Sequence, residues 1–257
     1  KTVTNLNTSI AAFTPISLKE MDAVALMKRT DTKFLASKEN AIAVLDLLAS
    51  EYQVLEIAGK RLFQYRTVYF DTPDKEMLYE HLRGKLNRVK VRAREYVGTS
   101  TKFFEIKFKT NKGKTIKSRI PKSTDCTSIA PSEAEFLMSA SSLDAKTLGP
   151  VIEIDFKRVT LVSLKNSERI TFDFQLTFSG KATEKVMDDL VIVELKRDGN
   201  SSGGTPILDA LKSQSIYPSS MSKYCLGMIL MNETQKYNRY KPKLLNLNKL
   251  TTHGNIW

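Results

Sequence analysis

Residues 87–96 read NRVKVRAREY, and the alternation within this stretch decides how the fold is interpreted. In a β-strand, successive side chains point to opposite faces. One face of this strand would carry only cations, namely Arg88, Lys90, Arg92 and Arg94. The other face would be mostly apolar, with Val89, Val91, Ala93 and Glu95. The fold therefore depends on which of these two faces points into the protein.

The composition indicates a globular protein with a polyanionic partner. Of its 257 residues 41% are hydrophobic, and 40 Lys+Arg against 28 Asp+Glu give a net charge of +12. Such a surplus favours nucleic acid, acidic lipid or polyphosphate as the partner. No apolar stretch approaches the roughly 18 residues of a transmembrane helix. The cysteines, Cys126 and Cys225, form neither a disulfide framework nor a metal motif, which predicts a reducing, cytoplasmic location.

Hydrophobic periodicity predicts an α+β fold, an antiparallel β-barrel of about eight strands with helices packed on the outside. Strands are predicted at 60–71, 87–96, 101–110, 114–121, 151–162, 168–178 and 189–198. Helices are predicted at 18–29, 38–52, 74–84, 132–143, 206–214 and 222–232. Residues 1–18 look irregular, and the basic tail at 236–249 looks extended. We therefore predict one domain at 18–240, with terminal extensions at 1–17 and 241–257.

Two features favour charged faces that point inward. The cationic row of 88–94 is unmixed, whereas a solvated face normally mixes signs and like charges on one pleat repel. The opposite faces of the strands are rich in Phe, Val and Ile, and the amphipathic helices need such a surface to cover. We therefore predict that the charged faces line a tunnel. A solvated charged face is the alternative for any single strand.

Two strands carry apolar rows that test this interpretation. In 168–178 the predicted apolar row is continuous, with Ile170, Phe172, Phe174, Leu176 and Phe178. In 151–162, Arg158 falls on the same row as Ile152, Ile154 and Phe156. Either a β-bulge interrupts that strand or its apolar row is not the outer one.

A cationic tunnel needs compensation, because two unit charges 4 Å apart repel by about 4 kcal/mol at an effective dielectric near 20. Carboxylates alternate with the cations, namely Glu105, Glu153, Asp155, Asp173 and Glu194. Cations that hold phosphates and carboxylates that hold a divalent metal are what phosphoryl chemistry requires. The sequence has no Walker loop, kinase signature or zinc motif, so side chains would have to bind the phosphates. The Phe residues lie opposite the cations, which makes nucleic acid a less favoured ligand.

An ordered series of segments resembles the VTC domain of polyphosphate polymerases, within the triphosphate tunnel metalloenzyme (CYTH-like) superfamily. The segments are KRTDTKF (28–34), YRTVYFDTPD (65–74), GKLNRVKVRAREY (84–96), FFEIKFK (103–109), EIDFKRVTLV (153–162), ERITFDF (168–174), VELK (193–196) and SSMSKYCLG (219–227). The resemblance covers roughly residues 18–240. It implies a tunnel that binds a nucleoside triphosphate or polyphosphate together with Mn²⁺ or Mg²⁺.

The resemblance also implies roles for individual residues. As phosphate-binding positions it implies Arg29, Lys33, Arg92, Arg94, Lys107, Arg158, Arg169, Lys196, Ser222 and Lys223, with Lys117 and Arg119 as alternatives for one further position. The cationic face of 88–94 adds Arg88 and Lys90. Those assigned to catalysis are Lys33, Arg92, Arg94, Lys107 and Arg158. Glu194 matches the metal-binding glutamate, and Glu105 is a second candidate ligand that could equally balance the cations. One departure is Ser220, where the family pattern has a lysine. The basic tail residues Lys236, Arg239, Lys241 and Lys243 are predicted to form a solvated end or a surface contact rather than part of the site.

The resemblance implies transfer of the terminal phosphoryl group of ATP to a polyphosphate chain. No general base is evident, and a phosphate-end acceptor needs none, which favours a polymerase slightly. Two alternatives are a triphosphatase of the same fold that hydrolyses triphosphate or nucleotide, and a non-catalytic binder of polyphosphate or nucleic acid. A membrane-protein partner at the inner face of a membrane is a further expectation.

Overall fold

The protein folds around one strongly curved sheet. The structure, a computed structural model, describes residues 5–22, 29–199, 203–234 and 237–250, without the side chain of Arg29. The strands are β1 (Thr14–Ile16), β2 (Arg29–Ser37), β3 (Gln53–Leu55), β4 (Phe63–Asp71), β5 (Arg88–Tyr96), β6 (Thr101–Lys109), β7 (Thr115–Pro121), β8 (Gly149–Ser163), β9 (Glu168–Ser179), β10 (Glu184–Met187) and β11 (Leu190–Asp198). The helices are α1 (Leu6–Ala11), α2 (Leu18–Asp22), α3 (Lys38–Leu48), α4 (Glu76–Arg83), α5 (Pro131–Ser141), α6 (Pro206–Ser213), α7 (Lys223–Leu230) and α8 (Lys241–Leu250).

Eight strands form an antiparallel half-barrel in the order β2-β11-β9-β8-β4-β5-β6-β7. Strand β10 pairs with β9, β3 pairs with β8, and β1 pairs in parallel with β3. Within the described residues the sheet path ends at β2 and β7 without a ladder between them. The α+β class and the barrel-like antiparallel sheet with outer helices are confirmed.

Helices cover the apolar rows on the convex face. Helix α3 buries Ala41, Val44, Leu45 and Leu48, which confirms the amphipathic pattern of 38–52. Together with α1 and α6 it packs on the outward side chains of β2, β9 and β11. Helix α5 covers the row of β5 that contains Val89, Val91 and Ala93. The cationic row of β5 therefore lies on the concave face, as predicted.

Helix α7 lies on the concave face and fills one end of it. Tyr224 stacks on Tyr69 of β4, with ring centroids 5.0 Å apart. A Cβ atom added at Gly227 would lie 2.6 Å from Ile152 Cδ1 and 2.7 Å from Phe178 Cδ1, so only glycine fits there. Helix α8 buries Leu244 against the same cluster. One end of the concave face is therefore packed with apolar side chains, and the rest is polar. No helix within the described residues is long and apolar enough to span a membrane.

Both terminal segments are more ordered than the sequence predicted. Residues 6–11 form α1 and 14–16 form β1, where irregular chain was predicted, because Ile10 and Phe13 are buried against α3 and its neighbours. Residues 241–250 form a helix rather than extended chain, because Leu244 and Leu247 share one buried face. The predicted helix at 18–29 ends at Asp22, and 23–28 lie outside the described residues.

The apolar row predicted for 168–178 is wrong beyond Phe174. The register between β8 and β9 shifts so that Gln175 and Leu176 stand opposite one residue, and Gln175 adopts φ of 51°. This β-bulge turns Leu176 and Phe178 to the concave face, whereas Phe174 faces outward. The row of Ile152, Ile154, Phe156 and Arg158 in β8 is uninterrupted and faces inward, which answers the question raised by Arg158.

Candidate active site

The polar part of the concave face holds most of the predicted phosphate-binding residues. Strand β5 places Arg92 and Arg94 there, with 6% and 8% of their surfaces exposed. Their neighbours on the same face come from seven other elements: Lys33, Lys107, Lys117, Arg158, Asp173, Glu194, Lys196 and Lys223. We call these ten residues, together with Glu105, the central site.

Glu105 holds two of these cations in place. It is fully buried, and its Oε2 accepts hydrogen bonds from Arg92 Nε at 2.6 Å, while Lys117 Nζ lies 2.6 Å from its Oε1. Burial alone would raise the pKa of Glu105, but Arg92, Arg94 and Lys117 outweigh it and hold the pKa well below its ordinary value. Burial also lowers the pKa of Lys117 to about 8. Glu105 is therefore ionised and paired with both Arg92 and Lys117.

Arg94 has no carboxylate partner among the described residues. Its Nε donates to Thr67 Oγ1 at 3.2 Å, and its guanidinium lies 5.7 Å from the ring centroid of Tyr65 and 5.9 Å from that of Phe156. Burial, and next the charge of Arg92, lower the pKa of Arg94. The charge of this buried guanidinium is therefore not neutralised by a carboxylate of the described residues.

Asp173 holds a second pair of cations. Arg158 makes a bidentate contact with it, Nε to Oδ1 at 2.6 Å and Nη2 to Oδ2 at 2.8 Å, and Lys223 Nζ donates to the same Oδ2. Burial would raise the pKa of Asp173, but the two cations lower it to about 2. The aromatic ring of Phe156 lies beneath both cations, 5.2 Å from Arg158 and 4.7 Å from Lys223.

Glu194 lies across the concave face from Lys107. Its Oε1 contacts Lys196 Nζ at 2.9 Å, and the pKa of Glu194 is held well below its ordinary value because Lys196 and Lys33 outweigh the effect of burial. Lys107 makes no hydrogen bond or ion pair with any described residue. The charge of Arg92, and next burial, lower the pKa of Lys107 well below its ordinary value.

The remaining predicted residues lie at the margins. Lys90 Nζ donates to Ser222 Oγ at 2.9 Å, and burial lowers the pKa of Lys90 to about 8. Arg88 Nη1 donates to the carbonyl of Lys85 at 2.5 Å. Arg119 is exposed and lies 4.4 Å from the ring centroid of Phe103.

Two further predicted residues are distant or only partly described. Arg169 faces the far end of the concave side, where its Nη2 donates to the carbonyl of Met21 at 3.2 Å. Arg29 begins β2, and its side chain lies outside the described part of the chain.

Two predicted tunnel carboxylates lie on the wrong face. Glu153 and Asp155 point to the convex side, where they contact Arg66 at 3.4 Å and 3.6 Å. They alternate with the inward row of Ile152 and Ile154, so their position follows from the same feature that turns that apolar row inward. Alternation alone could not identify the inner row, because both rows of this strand are buried or paired.

The sequence interpretation missed the aromatic wall of the site. Tyr65, Thr67 and Tyr69 of β4 face inward, and Tyr69 OH lies 3.4 Å from Arg92 Nη1. These residues occupy every second position of the strand, which predicts that they share one face. Arg66 between them faces out. Asp173 was noted only as one of several balancing carboxylates, although it orders Arg158 and Lys223.

A divalent metal would find one suitable protein ligand in this site. The described residues contain no group of three or more His, Cys, Asp or Glu side chains that could hold a metal ion. Mg²⁺ commonly binds through one or two carboxylates and completes its shell with water and substrate phosphates. Glu194 fits that arrangement, whereas Glu105 is fully buried and engaged by Arg92 and Lys117.

The family model for the VTC domain matches residues 28–232, which include every described strand of the half-barrel, so the chain belongs to the VTC domain family. No curated protein matches the chain.

Solved structures of similar fold include a provisionally assigned adenylate cyclase from Bacillus halodurans, with 15% identity over 77% of this chain and 96% of that one, and a TM-score of 0.46. Another is a provisionally assigned adenylyl cyclase from Hippeastrum, described as having a dominant triphosphatase activity. It shares 12% identity over 78% of this chain and 95% of that one, with a TM-score of 0.48. At these values the similarities carry no functional argument.

Proposed function

We propose that this VTC domain is a metal-dependent phosphotransferase that transfers the terminal phosphoryl group of ATP to a polyphosphate chain. The observation that carries the proposal is the imbalance of the central site. Eight cations meet only three carboxylates, and the partly or fully buried Arg94 and Lys107 have no carboxylate partner among the described residues.

Such an excess of buried positive charge is costly unless an anion binds there. A triphosphate supplies several closely spaced negative charges. These charges match the guanidinium and ammonium groups around Arg92 and Arg94. Polyphosphate has the same repeating chemistry, so one lining can hold both the donor and the acceptor. The membership in the VTC domain family supports this ligand class.

The carboxylates of the site would fix the cations before substrate arrives. Glu105 orients Arg92, and Asp173 orients Arg158, so both guanidiniums present their remaining donors without reorganisation. Arg94 and Lys107, which no carboxylate holds, would contact the phosphoryl group and stabilise the charge that develops on it. We assign Lys33 the same task from the opposite wall, next to Glu194.

Glu194 is the residue we assign to a divalent metal, and we assign Glu105 to charge balance. A bound Mn²⁺ or Mg²⁺ would neutralise charge on phosphate oxygens, as it does generally in phosphoryl transfer. The residues of this chain would align the acceptor oxygen with the terminal phosphorus. A phosphate-end acceptor is already ionised, so no proton acceptor is required. This suits a site in which His81 is engaged elsewhere, since its Nδ1 donates to the Met77 carbonyl at 2.7 Å.

The direct test is incubation of the protein with ATP and Mn²⁺, followed by gel electrophoresis of the products. We expect long polyphosphate chains, and we expect Arg94→Met to abolish them. Arg66→Met is the matched control, because Arg66 lies on the convex face and loses the same charge. Release of ADP and orthophosphate without chains would refute the polymerase.

A triphosphatase is the second candidate, because the open edge between β2 and β7 leaves the central site accessible to water among the described elements. The same incubation separates the two functions through orthophosphate release from tripolyphosphate. A third outcome, tight and salt-dependent binding that survives Glu194→Gln without any turnover, would identify a polyphosphate-binding module instead.

A further inference from the structure

A second group of cations, which includes Lys90, lies beside the central site near α4, α7 and α8. We call it the basal cluster, and it consists of Arg88, Lys90, Arg239 and Lys243. Lys243 Nζ donates to Ser220 Oγ at 2.7 Å and to the Ser220 carbonyl at 3.2 Å. Arg239 donates to the carbonyl of Arg83. With Lys90 bonded to Ser222 Oγ and Arg88 to the Lys85 carbonyl, every acceptor is uncharged.

This pattern differs from that of the central site. There, five cations contact Glu105, Asp173 or Glu194. In the basal cluster, none of the four cations forms an ion pair with a carboxylate of the described residues. The two arginines instead use carbonyls at the end of α4, where the partial negative charge of a helix C-terminus attracts cations. The cluster is therefore built and held, but its charge is not neutralised.

A short loop joins the basal cluster to the central site. Residues 219–222 connect three elements: Ser219 N donates to the Lys33 carbonyl at 2.7 Å, Ser220 receives Lys243, and Ser222 receives Lys90. Residues two apart in a chain lie at most about 7 Å from each other. Lys243 and Lys90 are thus anchored side by side, and Lys90 leads along the face of β5 to Arg92.

We infer that the basal cluster binds the part of a polyphosphate chain that extends beyond the phosphates held in the central site. This inference rests on the proposed function and adds a determinant of chain length to it. Inorganic polyphosphate fits better than nucleic acid, because single-stranded nucleic acid binds on exposed aromatic platforms. The aromatic ring at this cluster, Tyr240, is buried and covered by the ammonium of Lys243 at 4.6 Å.

The inference makes Lys243 a residue that distinguishes long chains from short ones. A triphosphate is held by the central site and would not need Lys243, whereas a longer chain would continue over Ser222 and Ser220 to reach it. Ser220 is uncharged, so at this point of the loop the positive charge comes from α8 rather than from the loop itself.

The test compares the binding of tripolyphosphate and of long-chain polyphosphate to the full chain. Binding is measured by calorimetry without divalent metal, so that no turnover occurs. We expect Lys243→Met to weaken long-chain binding about 3- to 10-fold and to lower its salt dependence by about one unit of slope. Tripolyphosphate binding should change by less than about twofold. Lys249→Met is the matched control, since Lys249 is exposed on the same helix and loses the same charge.

The outcomes separate this inference from the proposed function. Equal losses for both ligands, or equal effects of Lys243→Met and Lys249→Met, would overturn the basal cluster and leave the polymerase untouched. If Lys243→Met weakens only long-chain binding but the wild-type protein makes no polyphosphate, the polymerase is refuted and the binding role of the basal cluster stands. A single-stranded DNA that binds more tightly than polyphosphate, with the same sensitivity to Lys243→Met, would show that the ligand was wrongly chosen.

Discussion

Arg92 and Arg94 are two residues apart on one strand, yet their side chains are expected to affect the stability of the folded protein in opposite directions. Arg92 is paired with the buried Glu105 at 2.6 Å, whereas Arg94 is buried without a carboxylate among the described residues. Breaking a buried pair leaves an uncompensated charge, but removing an unpaired buried charge relieves one. At the residue scale, stability and ligand binding are therefore expected to separate between these two positions.

Arg94→Met should raise the free energy of unfolding of the ligand-free protein slightly and lower tripolyphosphate affinity at least tenfold, about 1.4 kcal/mol. Arg92→Met should lower the free energy of unfolding by about 2–4 kcal/mol, because Glu105 would keep only Lys117. Urea unfolding and calorimetric titration measure both quantities. A loss of stability in Arg94→Met as large as that in Arg92→Met would show that Arg94 is structurally required instead.

Alternation in the sequence was sufficient to place Arg92 and Arg94 on one face, but it could not reveal which cation each carboxylate would meet. Glu105 is opposite Arg92 across a ladder, a relation that depends on register. Glu153 has the same alternating context and faces outward. Register comes from turn geometry and from packing across the sheet, so partners in the site could not be predicted from a single strand.

At the scale of elements, strand β9 shows how one residue changes two faces. Gln175 is inserted opposite β8 in a left-handed conformation, and it turns Leu176 and Phe178 to the cluster beneath α7. Position 175 holds a glutamine, not a glycine, so the residue type does not predict a bulge there. Seven strands and the amphipathic α3 were predicted from periodicity, whereas β1, β2 and β3 were not. This bulge, the short β10 and helix α8 depend on tertiary contacts.

Gln175→Gly should raise the free energy of unfolding by about 0.5–1 kcal/mol, because glycine adopts a positive φ without the cost that other residues bear. Gln175→Val should lower it by about 1 kcal/mol or more, since a β-branched side chain is the least tolerant of this conformation. The exposed side chain of Gln175 removes any packing effect from the comparison. Denaturant unfolding that shows equal stability for the two variants would contradict the bulge.

At the scale of the whole molecule, a chain of net charge +12 brings eight cations and only three carboxylates together in the central site. Cations converge on the concave face while the outer helices bury the apolar rows, so the ligand-free protein holds repulsion that an anion would relieve. A polyanion bound only to the folded state should then stabilise the protein in proportion to its concentration relative to the dissociation constant. The pH dependence of stability measures this stored repulsion.

Lys90 provides the pH test. Burial, together with Lys33 and Arg88, lowers its folded-state pKa to about 8, against 10.5 for an ordinary lysine. Between these values the unfolded chain binds more protons than the folded one, so the stability of the ligand-free protein should rise with pH in this window. From about pH 8 to about pH 9 we expect the melting temperature to rise by about 2–4 °C, and by less in Lys90→Met. With saturating long-chain polyphosphate the rise should shrink, because the ligand favours the protonated lysine and raises its pKa. A melting temperature that falls with pH in the ligand-free protein, or a rise of the same size in Lys90→Met, would mean that Lys90 keeps its proton, and that the end of the concave face beside Ser222 is more solvated than its packing against α7 indicates.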